Sequence, residues 1–262
     1  ELAMKYLPKL TAMALSVARA ASLAACSSSD PSASPAQSAG GDTGTQGGQD
    51  SYTIGVCQQM QHEALDAATQ GFQDALKEKL GDQVEIKVEN ASGDSNNCNT
   101  IVGSFVSNGV DLIMTNGTTA LQAAASATED IPILGTSITE YGVALGLNDF
   151  DGVTGFNVSG TSDLAPLDEQ AAMLQTWFPD AEKVGLLSCS AEPNFAYQVS
   201  AVQGYLEEMG YTCTSYTFSD SNDLAAVAES ACAAEGVVYI PTDNTAAQNA
   251  GLLGNIALAG KT

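Results

Sequence analysis

Tyr52-Thr53-Ile54-Gly55-Val56-Cys57 runs into Gln58-Gln59-Met60-Gln61-His62, and this junction decides the fold. The first six residues read as a buried strand and the next five as a polar turn. From His62 to Leu80, Leu65, Ala68, Phe72, Ala75 and Leu76 recur at helical spacing and form one apolar face. An apolar strand, a short polar turn and an amphipathic helix make one unit of a parallel α/β sheet.

The same unit recurs along the chain. Strands are predicted at Val84–Glu89, Val110–Thr115, Ile131–Thr136 and Val153–Asn157, with helices at Asn97–Val106 and Thr119–Thr128. The alternation then restarts. Helices are predicted at Leu164–Trp177, Asn194–Met209, Leu224–Ala233 and Thr245–Leu258, and strands at Val184–Cys189, Thr212–Phe218 and Val237–Ile240. Two consecutive sets imply two similar lobes, residues 52–158 and 159–262, with Gly155–Asp163 as the first crossover. Ligands of such sheets bind at the carboxyl ends of the strands. The turns there are Gln58–His62, Asn116–Thr119, Thr136–Thr139, Ser190–Asn194 and Pro241–Asn244, which two facing lobes bring together across a cleft.

Upstream the composition changes twice. Lys5 and Lys9 precede an apolar run, Leu10 to Ala25, that contains Arg19 and ends in Leu23-Ala24-Ala25-Cys26. A basic start, an apolar stretch and small residues before a cleavage point form an export signal, expected over residues 1–25. The cysteine directly after them resembles a bacterial lipobox, which implies acylation of Cys26 and a membrane tether. Residues 26–51, rich in Ser, Gly, Pro and Thr, have almost nothing to bury and read as a flexible linker spanning about 25–30 Å.

Charge removes whole classes of partner. The chain carries a formal charge of −23, and beyond residue 25 its only basic residues are Lys77, Lys79, Lys87, Lys183 and Lys261. Such a surface repels phosphate backbones, so no nucleic-acid partner is expected. Without arginine there is no guanidinium clamp for an anion, which hydroxyls, backbone amides and helix N-termini must then hold.

Catalytic and metal chemistry find little support. The single histidine, His62, has no cysteine cluster beside it, and no CxxC pair occurs, so neither a metal nor another cofactor is expected. The sequence has no GxSxG elbow, P-loop or GxGxxG fingerprint. Cys57 and Cys189 lie in apolar runs and read as small core residues, and the spacing names no disulfide pair.

The polar turns carry a resemblance to the tryptophan/tyrosine branch of ABC-transporter substrate-binding proteins. It rests on Ile54-Gly55-Val56-Cys57-Gln58 with His62 and Ala64-Leu65-Asp66; on Asn90-Ala91-Ser92-Gly93-Asp94; on Gly160-Thr161-Ser162-Asp163; on Phe178-Pro179-Asp180-Ala181; and on Pro241-Thr242-Asp243-Asn244. Glu63, Thr119 and Glu140-Tyr141 depart from the pattern, each replacing a proline or an Asp-Pro turn. The resemblance implies an α/β, two-lobed periplasmic-binding-protein-like fold of type I, each lobe a parallel sheet flanked by helices. It implies hinge closure on a small ligand, an aromatic amino acid or similar zwitterion, and delivery to a membrane permease. In that family the chain continues past the helix matching Thr245–Leu258, which implies a truncated second lobe, lower stability and weaker binding. An exported α/β enzyme and a ligand-sensing lipoprotein are the alternative readings.

The candidate ligand-binding residues are Gln58, His62, Thr118, Thr136, Ser137, Asp163, Ser190, Asn194, Asp243 and Asn244. Asp243 follows an apolar strand and is read as the partner of a ligand ammonium, with Asn244 as the more natural helix cap. One of Thr118 and Thr119 is expected to cap the next helix while the other offers its hydroxyl; Thr136 and Ser137 are read as similar donors. Ser190 is read either as a cap or, with Asn194, as a ligand contact. Asp163 is expected to cap the following helix and organise the hinge, and Tyr141, Phe195 and Tyr197 are aromatics that either stack on a ring or pack in the core.

Overall fold

The computed structural model describes residues 51–191 and 193–260. The expected export signal, Cys26 and nearly all of the expected linker lie outside the described residues.

The predicted strand–helix alternation builds two parallel sheets. In chain order the first comprises β1 (Tyr52–Gln58), β2 (Val84–Asn90), β3 (Leu112–Asn116), β4 (Ile133–Ile138) and β5 (Val158–Ser162), in spatial order β2-β1-β3-β4-β5. The second comprises β6 (Lys183–Cys189), β7 (Thr212–Phe218) and β8 (Val237–Tyr239), in spatial order β7-β6-β8. Every pairing is parallel, because a helix follows nearly every strand and returns the chain to the same end. The described residues of both sheets belong to one compact unit.

Alternation along the strands sorts the core. Ile54 and Val56 of β1 pack with Met114 beneath Phe72 and Leu76 of α1 (Glu63–Leu80). Cys57, one residue out of phase, faces the opposite side. There it meets α2 (Ser95–Ser107) and α3 (Thr118–Ala127) through Cys98, Val102, Phe105, Ala120 and Leu121. With both faces covered, β1 is a nearly continuous buried run. In the second sheet Val184 and Leu186 pack on α5 (Leu167–Trp177) and α6 (Pro193–Glu208), while Leu187 and Cys189 face α7 (Leu224–Ala234).

Four elements differ from expectation. The strand expected at Val153–Asn157 forms instead at β5. Gly152 and Gly155 take positive φ, 97° and 80°, and leave Val153 and Phe156 exposed, so the extended run starts only after them. Because β5 pairs with β4, the first sheet reaches Ser162, past the boundary expected at residue 158. The helix expected from Leu164 starts at Leu167, since Pro166 occupies its N-cap position and disfavours helix in the residue before it. The helix expected over Thr245–Leu258 is two, α8 (Asn244–Gln248) and α9 (Ala250–Gly260), broken at Asn249, whose side-chain amide donates to Thr245 O at 2.8 Å. A short helix, α4 (Tyr141–Leu145), capped by the Glu140 carboxylate, is too brief to show periodicity.

Gly55 allows β1 to approach α2, since a Cβ there would stand 2.6 Å from the Phe105 ring. Replacing Gly55 by Ala is expected to lower the unfolding free energy by roughly 1–3 kcal/mol through overpacking. Urea denaturation checks it, and an unchanged midpoint would contradict the tight β1–α2 contact.

Candidate functional site

The strand ends carry the polar residues, and the structure divides them into groups that hold the turns together and groups that face across the lobes. Gln58 belongs to the first kind. It is buried, its Nε2 donates to Met60 O (2.8 Å) and Asp66 Oδ1 (2.6 Å), and its Oε1 accepts from the Thr69 hydroxyl (2.6 Å). Asn116, at the end of β3, joins this network by donating to Leu65 O (2.7 Å) and Thr69 Oγ1 (2.9 Å). Gln58, one of the expected ligand-binding residues, also pins the turn after β1 onto α1.

The next residue, not singled out in the sequence, reaches the helix expected to cap itself. Gln59 is buried, and its Oε1 accepts the N–H of Thr119 at 3.0 Å. Gly117 occupies the N-cap position of α3 with φ 110°, and a Cβ there would come within 2.6 Å of Gln59 Oε1. The cap expected from Thr118 or Thr119 is therefore supplied by Gln59. Thr118 sits buried in the first turn.

Thr136 and Ser137 lie where β4 breaks register with β5, between Gly135 and Ile138, and Ser137 has φ 56°. Such a break at a strand end re-aims side chains. The Thr136 hydroxyl meets that of Thr161 at 3.4 Å. Asp163 does not cap α5, which starts later. Its N–H donates to Ile138 O at 3.0 Å, and the Thr139 hydroxyl reaches its carboxylate. Tyr141 is buried, with its hydroxyl donating to Gly135 O at 3.0 Å. Burial, then the charge of Asp163, push that phenol up to about 12.

In the second sheet, Ser190 donates its hydroxyl to Phe218 O at 3.1 Å, tying the end of β6 to β7; α6 begins three residues later. Phe195 is fully buried in the core and Tyr197 is exposed. Asn194 is 4% exposed, and its Oδ1 has no partner among the described residues. One helical turn on, Gln198 is 1% exposed. Its Oε1 accepts from the Thr242 N–H (3.2 Å) and hydroxyl (2.7 Å), while Nε2 has no partner among the described residues. Gln198 is not among the expected site residues, although its i, i+4 spacing from Asn194 places both on one helix face.

Asp243 is the cap of α8, a role expected of Asn244. Its Oδ1 accepts the Ala246 N–H (2.9 Å) and its Oδ2 the Cys189 N–H (2.7 Å). Burial raises its pKa above the ordinary carboxylate value, a rise that the backbone N–H donors reduce only in part. Asn244 instead reaches the other lobe, its Oδ1 meeting His62 Nε2 at 3.1 Å; beside it Gln248 donates to Gln61 O at 3.1 Å. His62 and Asn244 therefore join the two lobes, with Asp243 next in sequence to Asn244. They also line a cavity of about 620 Å³ that runs along β8, otherwise mostly apolar, with Phe178, Leu187 and Ile240 in its wall. Gln58, Thr118, Thr136, Ser137, Asp163, Ser190 and Asn194 do not line it. Among the described residues no cluster of three or more His, Cys, Asp or Glu is placed to hold a metal ion.

Known proteins share this architecture. Residues 53–262 match the family model for ABC transporter substrate-binding proteins. A tyrosine-binding protein of Clostridioides difficile is 34% identical over 207 residues, 78% of this chain; the chain spans 60% of that relative's length. An ABC domain from Streptococcus pneumoniae, solved in complex with L-Trp, is 31% identical and superposes with a TM-score of 0.77, covering 81% of this chain and 72% of that one. The ligand-free, open structure of a Clostridium difficile substrate-binding protein with adhesive properties is 34% identical, with a TM-score of 0.56 over 80% of this chain and 72% of that one.

Asp243→Ala removes a helix cap and the carboxylate that accepts the buried Cys189 N–H. It is expected to lower stability by about 2–4 kcal/mol. Thermal or urea unfolding measures this, and a change within error would show that the carboxylate does not hold β6 to α8.

Proposed function

The chain belongs to the family of ABC transporter substrate-binding proteins, and from that premise we propose that it captures an aromatic amino acid between its two lobes and hands it to a membrane permease. The solute is held at the carboxyl ends of the two sheets and released unchanged. Cys26 is the proposed acylation site, residues 26–51 the tether, and the protein works outside the cytoplasm, bound to the membrane by lipid.

The observation that carries the reading is the buried Asp243 carboxylate at the junction of the lobes. It has backbone donors and a raised pKa, and no salt bridge to it is found among the described residues. Desolvation makes its charged form costly, and a ligand ammonium lowers that cost while forming a charge-assisted hydrogen bond. For the solute carboxylate there is no arginine in the body. The N-terminus of α3 and the hydroxyls of Thr118, Thr136 and Ser137 are the proposed donors. Asn194 and Gln198 offer the unpaired polar atoms that a bound solute would satisfy. The His62–Asn244 and Gln61–Gln248 contacts bridge the lobes, and the higher TM-score is with the L-Trp complex, 0.77 against 0.56 for the open relative, which supports a closed arrangement.

Isothermal titration of the full chain against the twenty amino acids tests the proposal. Saturable binding of tryptophan, tyrosine or phenylalanine is expected, and silence with all three would sink it. Asp243→Asn, which keeps the shape, is expected to weaken binding at least about tenfold, the scale of one charged hydrogen bond. Because the pKa of the free carboxylate is raised, the ionised form that pairs with ammonium is lost as pH falls through that raised value. Affinity should therefore drop on acidification from about pH 7 towards pH 4, where free amino acids keep their ammonium. Asp243→Asn should lose most of that dependence.

A further inference from the structure

We propose that Cys57 and Cys98 form a disulfide that ties β1 to α2 beneath the strand-end turn of the first sheet. Cys57 is the penultimate residue of β1 and Cys98 stands in the first turn of α2. Both are fully buried, both belong to the same apolar cluster, and their thiols hydrogen-bond to one another. The remaining described cysteines are placed elsewhere. Cys189 donates to Ser219 O, Cys213 packs on the α5–α6 side of the second sheet, and Cys232 lines the cavity along β8. The cross-link closes a loop containing α1 and β2 and fixes the segment in which Ala91 donates its N–H to Gln58 O and Gly93 to Gln59 O. It thereby braces the backbone that presents Gln58 and Gln59.

The chemistry needs an oxidant, which is a carrier disulfide, either a small molecule such as oxidised glutathione or a thiol oxidoreductase. One cysteine thiolate attacks a carrier sulfur and releases the first carrier thiol. The second thiolate attacks the mixed disulfide and releases the other. The pair loses two protons and two electrons, and the carrier is reduced to two thiols. In the folded core the hydrogen bond with Cys98, and then burial, hold the Cys57 thiol far above the ordinary thiol range, so it is not a thiolate. The exchange therefore occurs during folding, before the core closes. This pairing is independent of which solute the protein binds.

The test uses the full chain, unfolded, reduced, refolded in a glutathione redox buffer, then alkylated under denaturing conditions and digested with trypsin. Lys77, Lys79 and Lys87 separate the two cysteines in sequence, so the bond appears as two joined peptides, assigned by fragmentation. The expected result is a Cys57–Cys98 joined pair that reductant abolishes, together with a fall in melting temperature on the order of 10 °C on reduction. In Cys98→Ala the joined pair vanishes and reductant leaves the melting temperature unchanged. Recovery of both cysteines alkylated or capped by glutathione overturns the proposal, as does either one joined to a different cysteine. If Cys98→Ala does not fold, the peptide map of the unaltered chain decides alone.

Discussion

A carboxylate taken out of water must be met by donors, and Asp243 is met by backbone N–H groups, two of them at 2.7 and 2.9 Å from different elements. One belongs to the last residue of β6 and the other to the first turns of α8. The carboxylate thus fixes the end of one strand against the start of a helix that follows another. The start of α8 is set by that tie. Asn244, one residue on, is thereby carried to His62 of the other lobe, and Ser190, one residue past Cys189, is held where its hydroxyl meets Phe218 O.

The first lobe solves the same problem with neutral groups. Gln58, Thr69 and Asn116 share hydrogen bonds with one another, and Asp66 and two backbone carbonyls complete the set. Gln59 then supplies an acceptor to the first turn of α3, an arrangement that requires glycine at residue 117. The polar residues after the strands form two tiers. An inner tier is spent on making the turns rigid, and the other, including Thr118, Ser137 and Asn194, holds the proposed solute contacts. A rigid inner tier keeps donors within the narrow geometric tolerance that selective recognition demands.

Among the described residues the lobes touch where α4 of the first packs on α6 of the second, and polar groups join them elsewhere. A histidine–asparagine pair and one glutamine–carbonyl bond bridge the sheets on the side of α8. Exposed hydrogen bonds of this kind have small net worth, about 0.5–1.5 kcal/mol each. Bonds of this worth exchange readily with water, as the proposed hinge movement of the lobes requires.

The sequence by itself determined the alternation of strands and helices, the parallel sheets and the family, because apolar periodicity and turn residues act locally and each strand–helix unit must bury its own faces. It also placed the polar turns at strand ends. Local pattern did not reveal which polar side chains turn inward. Gln58 and Asp243 stand among the expected ligand groups, and each also has a structural partner far along the chain, Thr69 for Gln58 and Cys189 for Asp243. Gln59 and Gln198 were passed over for the same reason, since their partners lie in other elements. Burial of a polar atom sets its role, and burial is decided only when distant segments pack. Tertiary structure likewise moved β5 past Gly155 and split the final helix at Asn249, because hydrogen-bond partners, not propensity, settle where an element stops.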